Sequence, residues 1–385
     1  MQIDKRETGL NNGLNRRFVW VVGLLGCLAA IFVFYFTYTH RAPKAVTVTI
    51  SNTEPRRDVT GQIMDVHRAC LQFFNGTFYL YGIAFGTNQD GAAMGLSFVV
   101  YSSPDLKTWT YEGKLLKDPP AGVYSRALVV YNPNTRKYVA WYSWFPKLWD
   151  GQAGIAESDT PTGPFVVVNP KANLIGKRPG DGSLFVDNDG KGYYIYTDLE
   201  EGYALRVEQL TPDFHDANGQ SSHVMVKGAE APALFRRKNI YYALSGTLCP
   251  DCPQGSEVQV FIANSPLGPF ATEPSFNINH ANVNDTTASP APGSALPEKP
   301  TTGAPPTINP VTIRPTIPAQ ESWVFNLPAA GGSGYIWMGD LFGSAADGTK
   351  AHDLQYWSPL EFTDDGRILP LKGLRKWDIS LSAGE

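Results

Sequence analysis

From Val59 to the C-terminus the chain alternates short apolar runs with clusters of Gly, Pro, Asn, Asp and Ser. The runs are rich in aromatic and β-branched residues, which predicts short β-strands joined by turns. One order of phrases recurs five times. The first copy is Met64 to Tyr81, turning at Asn75-Gly76, followed by Phe98-Val-Val-Tyr101 and Ser103-Pro-Asp-Leu-Lys-Thr-Trp109. The second runs from Arg126 to Trp144, turning at Asn132-Pro-Asn-Thr135, then through Gly154–Ser158 to Pro161-Thr-Gly-Pro-Phe165. The third joins Ser183–Gly190 to Tyr193-Tyr-Ile-Tyr196 and ends in Val207–Pro212. The fourth runs from Gly228 to Gly246 and ends in Val260–Phe270; the fifth joins Ser322–Asn326 to Tyr335–Asp340 and Tyr356–Phe362. Repeats of roughly 50 residues with four short strands are the pattern of propeller blades, each too small to bury its faces alone. The expected fold is an all-β, five-bladed β-propeller. A β-sandwich with accidental turn resemblance is disfavoured by five copies of one phrase.

The fourth copy organises the reading. Glu230 is a lone carboxylate opening the apolar run Ala231-Pro-Ala-Leu-Phe235. Pro232 is expected to keep Ala231 extended and to exclude this segment from the middle of a sheet. Glu230 is thus expected at a strand entrance, where a side chain can reach a cleft.

The N-terminal part breaks the pattern. Phe18 to Tyr38 is uncharged and almost wholly apolar. As a helix rising about 1.5 Å per residue it would span roughly 30 Å, a bilayer core. Its length, the tail before it and the lack of a small-x-small site disfavour a cleaved signal peptide. Lys5, Arg6, Arg16 and Arg17 precede it, whereas only Arg41 and Lys44 closely follow. The positive-inside rule then leaves the N-terminus cytosolic and the main domain lumenal or extracellular. The expected organisation is a tail at 1–17, a transmembrane anchor at 18–39, a stem at 40–58 with no helical period, and the propeller at 59–385. A Pro/Thr-rich stretch at about 285–318 is too poor in large apolar residues to pack and reads as an insertion.

Composition narrows the function classes. A formal charge of −4 gives no reason to expect nucleic acid. The 18 Tyr, 20 Phe and 9 Trp suit both β cores and sugar-binding surfaces; core filling accounts for most of them. Four cysteines are few. Cys249 and Cys252 have CxxC spacing, but with no second CxxC and no βαβ setting a loop disulfide is favoured over a redox or zinc site, and pairing of either with Cys70 stays open. Asn75-Gly-Thr and Asn284-Asp-Thr are glycosylation sequons. No metal or cofactor is expected.

The first residues of the five copies should meet at the channel mouth. They offer Asp65 and His67, Ser125 and Arg126, Asp181, Glu230, and Gln320 with Glu321. A carboxyl that protonates a leaving oxygen, with a second group handling water on the opposite face, is the arrangement for glycoside hydrolysis. Glu230 between apolar neighbours is the expected acid. Pairing of Glu230 with an arginine, with no chemistry, weighs about equally on the residues alone.

Glu230-Ala-Pro-Ala-Leu-Phe, Gly180–Gly190, Tyr101–Trp109 and Tyr356–Phe362 resemble glycoside hydrolase family 43, in particular its exo-β-1,3-galactanase-like branch, over nearly everything from Gly61 onward. The resemblance implies an inverting, exo-acting hydrolase of β-linked galactose or a related pentose. It implies Glu230 as general acid, Gln320 beside the attacking water, Asp181 as a substrate-contacting acid and His67 as the histidine opening the first blade. An oligo- or polysaccharide is the implied partner. Ser125 and Ile83 stand where the branch has glutamates, and Asp340-Leu-Phe342 replaces an Asp-Arg-Trp phrase. Glutamine has almost no basicity, so Asp65 is offered as base. The departures imply moved specificity or lost activity, leaving a propeller that binds glycan or a protein. Further sugar contacts are expected from Ser125, Arg126, Asp340 and Trp149, while Trp141 and Trp144 fit blade packing. Asp187-Asn-Asp189 looks like the DxD of a lumenal glycosyltransferase, but a turn before Gly190 accounts for it better. His352-Asp353 has no companion ligands.

Overall fold

The computed structural model describes residues 45–86, 95–147, 149–248, 253–280, 315–327 and 334–382. The apolar run at 18–38, the Cys249 and Cys252 pair, the Asn284 sequon and most of the insertion lie outside them. Among the described residues no helix is long and apolar enough to cross a membrane.

Alternation of Val46, Val48 and Ile50 makes strand β1 (Ala45–Ser51), so the middle of the expected stem is a strand. The first blade is β2 (His67–Phe74), β3 (Thr77–Ala84), β4 (Ser97–Ser103) and β5 (Thr110–Lys114). The second is β6 (Val123–Asn132), β7 (Lys137–Phe145), β8 (Gln152–Ser158) and β9 (Val166–Asn169). The third is β10 (Pro179–Val186), β11 (Gly192–Asp198), β12 (Ala204–Leu210) and β13 (Ala217–Ser221). The fourth is β14 (Ala229–Arg237), β15 (Ile240–Thr247), β16 (Val258–Ala263) and β17 (Ala271–Asn277). The fifth is β18 (Gln320–Leu327), β19 (Gly334–Leu341) and β20 (Leu354–Leu360); β21 (Lys376–Ser382) pairs with β1. Asn52 ties that pair to the fifth blade, donating to the Trp357 carbonyl and accepting from the Trp357 amide, both at 2.9 Å.

Each blade is an antiparallel meander, and neighbouring inner strands touch in the cyclic order β2, β6, β10, β14, β18. The expected five-bladed propeller is the observed fold. Radial closure leaves the blades to cover one another's faces. Aromatic residues do most of this. Trp109, Trp141, Trp337 and Trp357 are fully buried; Trp141 packs at 4.7 Å on Tyr194 of the next blade and donates to the Phe214 carbonyl at 2.8 Å. The repeated Ser-Pro and Gly-Pro-Phe phrases join third to fourth strands in blades one, two and four, as expected. Asp187 and Asp189 sit in the β10–β11 turn: Asp187 accepts from Arg236 at 2.7 Å and Tyr241 at 2.5 Å, and Asp189 pairs with Lys191. The DxD phrase is turn chemistry.

One irregularity repeats in every blade. The first pairing of each inner strand carries a bulge: between His67 and Cys70, Tyr124 and Arg126, Pro179 and Gly182, Glu230 and Ala233, and Glu321 and Trp323. A bulge inserts extra residues, bends the strand and re-aims side chains. Five of them at one end turn an alternating strand pattern into a converging ring. Gly82, opposite the first bulge, is required there, because a Cβ would lie 2.6 Å from the His67 carbonyl oxygen. Ala231, expected to be extended, instead has φ +49°, since the bulge absorbs two residues between Glu230 and Ala233.

Candidate active site

The bulged ends place His67, Arg68, Ser125, Arg126, Asp181, Glu230, Gln320 and Glu321 at one end of the channel. Most of these polar side chains are buried, so each must find partners. Gln320 Nε2 donates to Glu230 Oε2 at 3.3 Å, joining the fourth and fifth blades at the expected acid. Arg126 is the hub beneath. Its Nη2 reaches Asp181 Oδ2 at 3.0 Å and the Glu321 carbonyl at 3.3 Å, and its Nη1 reaches the Ser322 carbonyl at 2.8 Å. Ser125 Oγ donates to Asp181 Oδ1 at 3.0 Å and accepts from Arg68 Nη1 at 2.8 Å. Burial opposes ionisation of Asp181, but Arg126, Arg68 and the Ser125 hydroxyl outweigh it and hold the carboxyl well below its ordinary value. Asp181 is therefore a fixed carboxylate.

His67 is fully buried rather than facing the channel. Its Nδ1 lies 3.4 Å from Asp340 Oδ1 and its Nε2 3.5 Å from Asp65 Oδ1. Burial works against its protonation; Asp340 and then Asp65 win, raising the imidazole pKa. Asp340 is buried too and accepts the Arg68 amide at 2.8 Å. Asp65 accepts the amides of Phe85 at 3.0 Å and Gly86 at 2.7 Å, capping the end of β3. It precedes β2 instead of opening it, and the contact that links it to the ring runs through His67. Trp149, on the β7–β8 loop at the bulged end, is 55% exposed and has φ +71°. His352 and Asp353 hold the β19–β20 loop: His352 pairs with Asp347 at 2.6 Å, and Asp353 accepts from Gly343 and Ala345.

Two residues, Arg68 and Tyr203, escaped the sequence reading, and a third, Glu321, was given no role of its own. Arg68 adopts φ +48°, a conformation that costs a non-glycine residue about 1–2 kcal/mol. Tyr203, on the β11–β12 loop, has φ +59° and lies within electrostatic reach of Glu230. Glu321 was named only beside Gln320. Its carboxyl oxygens have no hydrogen-bond partner among the described residues, and burial pushes its pKa up to about 8 against the weaker pull of Trp337 and Arg126. The signal for Arg68 and Tyr203 is backbone strain, which a residue string does not display. Positive φ at Asn75, Arg136 and Lys238 marks ordinary hairpin turns at the other end.

The departures have a packing account. Ile83 and Phe342 belong to one buried apolar cluster with Phe85, Phe98 and Tyr124, so carbon fills both positions. At the far end of the channel, where the inner strands finish, a cavity of about 270 Å³ is lined by Phe74, Leu184, Phe185, Leu234, Phe235 and Phe325 among others. It is away from every residue of the ring.

The geometry now has counterparts. Over 272 residues the chain is 27% identical to a β-D-galactofuranosidase of Aspergillus niger, covering 64% of this chain and 75% of the relative. Its fold is similar to an exo-β-1,3-galactanase of Clostridium thermocellum, with a TM-score of 0.68 at 22% identity over 88% of this chain and 68% of that one. It is similar also to a family 43 β-1,3-galactosidase with galactodeoxynojirimycin, with a TM-score of 0.66 at 21% identity over 85% and 99% of the two chains. The galactanase of Phanerochaete chrysosporium with galactose gives 0.67 at 20% identity over 88% and 70%. The sequence profile described as Glycosyl hydrolases family 43 matches residues 74–295, more than half of the 385. The chain belongs to glycosyl hydrolases family 43.

Proposed function

We propose that the ring of bulged strand ends hydrolyses β-linked galactose-type glycans from one end, with inversion. The observation that carries this is the convergence of Glu230, Gln320 and a fixed Asp181 carboxylate at the bulged end of the channel. Glu230 protonates the leaving oxygen. Gln320 rests on Glu230 in the ligand-free site; with a sugar seated between them its amide orients the attacking water on the opposite face. Asp65, coupled to the ring through His67, is the carboxylate for the water's proton. Asp181 takes sugar hydroxyls, the buried Arg126 and Ser125 hold its carboxylate, Asp340 holds the Arg68 backbone, and Trp149 supplies a face for a ring at the rim. Names of similar proteins support galactose, in furanose or pyranose form, as the sugar. The anchor reading of the N-terminal run places this domain lumenal or extracellular.

One observation favours a second reading, a propeller that binds glycan without cleaving it. Gln320 has no basicity, and Asp65 has both oxygens on backbone amides. The test is sugar release from β-1,3-galactan, β-galactofuranosides and β-arabinosides without added metal. Single sugars released by the wild type and absent with Glu230→Gln support hydrolysis. Glycan binding with no release from any substrate supports the second reading.

A further inference from the structure

We propose that Arg68 is a positioning residue: through Ser125 it locks Asp181 as a charged acceptor for two neighbouring hydroxyls of the bound sugar. This rests on the reading that the bulged end of the channel holds a glycan.

Arg68 is held at both ends. Its amide donates to Asp340 Oδ2 at 2.8 Å, and its guanidinium donates to Ser125 Oγ at 2.8 Å. Ser125 spends its single proton on Asp181 Oδ1. A serine hydroxyl can point its proton either way; a cation donating into its lone pair leaves that proton only outward directions. Arg68 thereby sets the polarity of the contact. Arg126 fixes Oδ2. Each carboxylate oxygen accepts about two hydrogen bonds, so one site remains on each, side by side. Two adjacent acceptors fit a vicinal diol. The groups facing Asp181 are Arg68 from β2, Ser125 and Arg126 from β6, and Tyr194 from β11. The φ of +48° at Arg68 is retained although glycine would adopt it freely, as expected where the side chain has a task.

The ligand-free test is thermal unfolding from pH 7 to pH 2 for wild type, Arg68→Gly, Asp181→Asn and the double variant. Glycine relieves the backbone, so the comparison isolates the side chain; Arg68→Gln serves if the glycine variant does not fold. Asp181 has a lowered folded pKa, so its stabilisation is full above the unfolded value and is lost as pH falls through the folded one. Without Arg68 the folded value rises, so the loss, which begins at the unfolded value in both proteins, should be smaller and should end at higher pH. That shift should vanish in the Asp181→Asn background. A shift that persists with Asp181→Asn, or no shift, overturns the proposal. The functional arm is turnover of β-1,3-galactotriose. Arg68→Gly should raise KM roughly tenfold with little change in kcat, and Arg68→Lys should recover part of it. A fall in kcat at unchanged KM overturns it. If the wild type turns over no glycan, the hydrolase reading fails, while the acid-limb comparison still decides the coupling of Arg68 to Asp181.

Discussion

The two ends of the channel are built from the same five strands and differ in almost everything else. At the bulged end the strands carry His67, Arg68, Ser125, Arg126, Asp181, Glu230, Gln320 and Glu321, and Arg68 and Ala231 sit in left-handed backbone. At the far end the same strands carry Leu71, Val130, Leu184, Leu234 and Phe325, regular pairing and ordinary hairpin turns. Left-handed backbone within the inner strands, and most of their buried polarity, thus lie in one half of each strand. The apolar half supplies the packing that keeps the polar half in place.

The comparison can be pressed first at its hub. Arg126→Met removes the cation under Asp181 and leaves the Glu321 and Ser322 carbonyls without their donor. Breaking a buried pair from one side costs about 3–5 kcal/mol. Chemical denaturation should show that loss together with lost glycan binding. At the apolar side, Trp141→Ala opens a cavity between blades two and three and should cost about 3–5 kcal/mol. If the halves are separate in function, KM of the surviving folded enzyme should stay within a few-fold of wild type. A smaller effect is expected at Glu321. An acid whose folded pKa is raised destabilises the fold as pH climbs from its unfolded value towards the folded one. For Glu321 that window runs from the ordinary 4.5 to about 8. Glu321→Gln should flatten the fall of Tm across it and leave Tm at pH 5 nearly unchanged. An unaltered slope would place the titrating group elsewhere.

The apolar half was legible in the residue string and much of the polar half was not. Tyr-x-Tyr and Ser-Pro phrases locate blades because packing and turns act over a few residues. Glu230, Asp181 and Gln320 could be found because each opens a repeat. The sequence suggested no role for Arg68, since its position depends on a bulge and a φ of +48°. His67 and Asp65 were read as channel residues; the bulge that starts after His67 turns the first inward and leaves the second capping β3. Ser125 looked like a loss against the resemblance. In the fold it is the link between Arg68 and Asp181.

The central claim is that Glu230 protonates a leaving oxygen. The direct test compares two substrates with Glu230→Gln: β-1,3-galactobiose, whose leaving sugar needs a proton, and a dinitrophenyl β-galactoside, whose leaving group does not. The account predicts a loss of roughly 10²–10⁴-fold on the disaccharide and a rate close to wild type on the activated glycoside. Equal losses on both substrates, or none on the disaccharide, would contradict it.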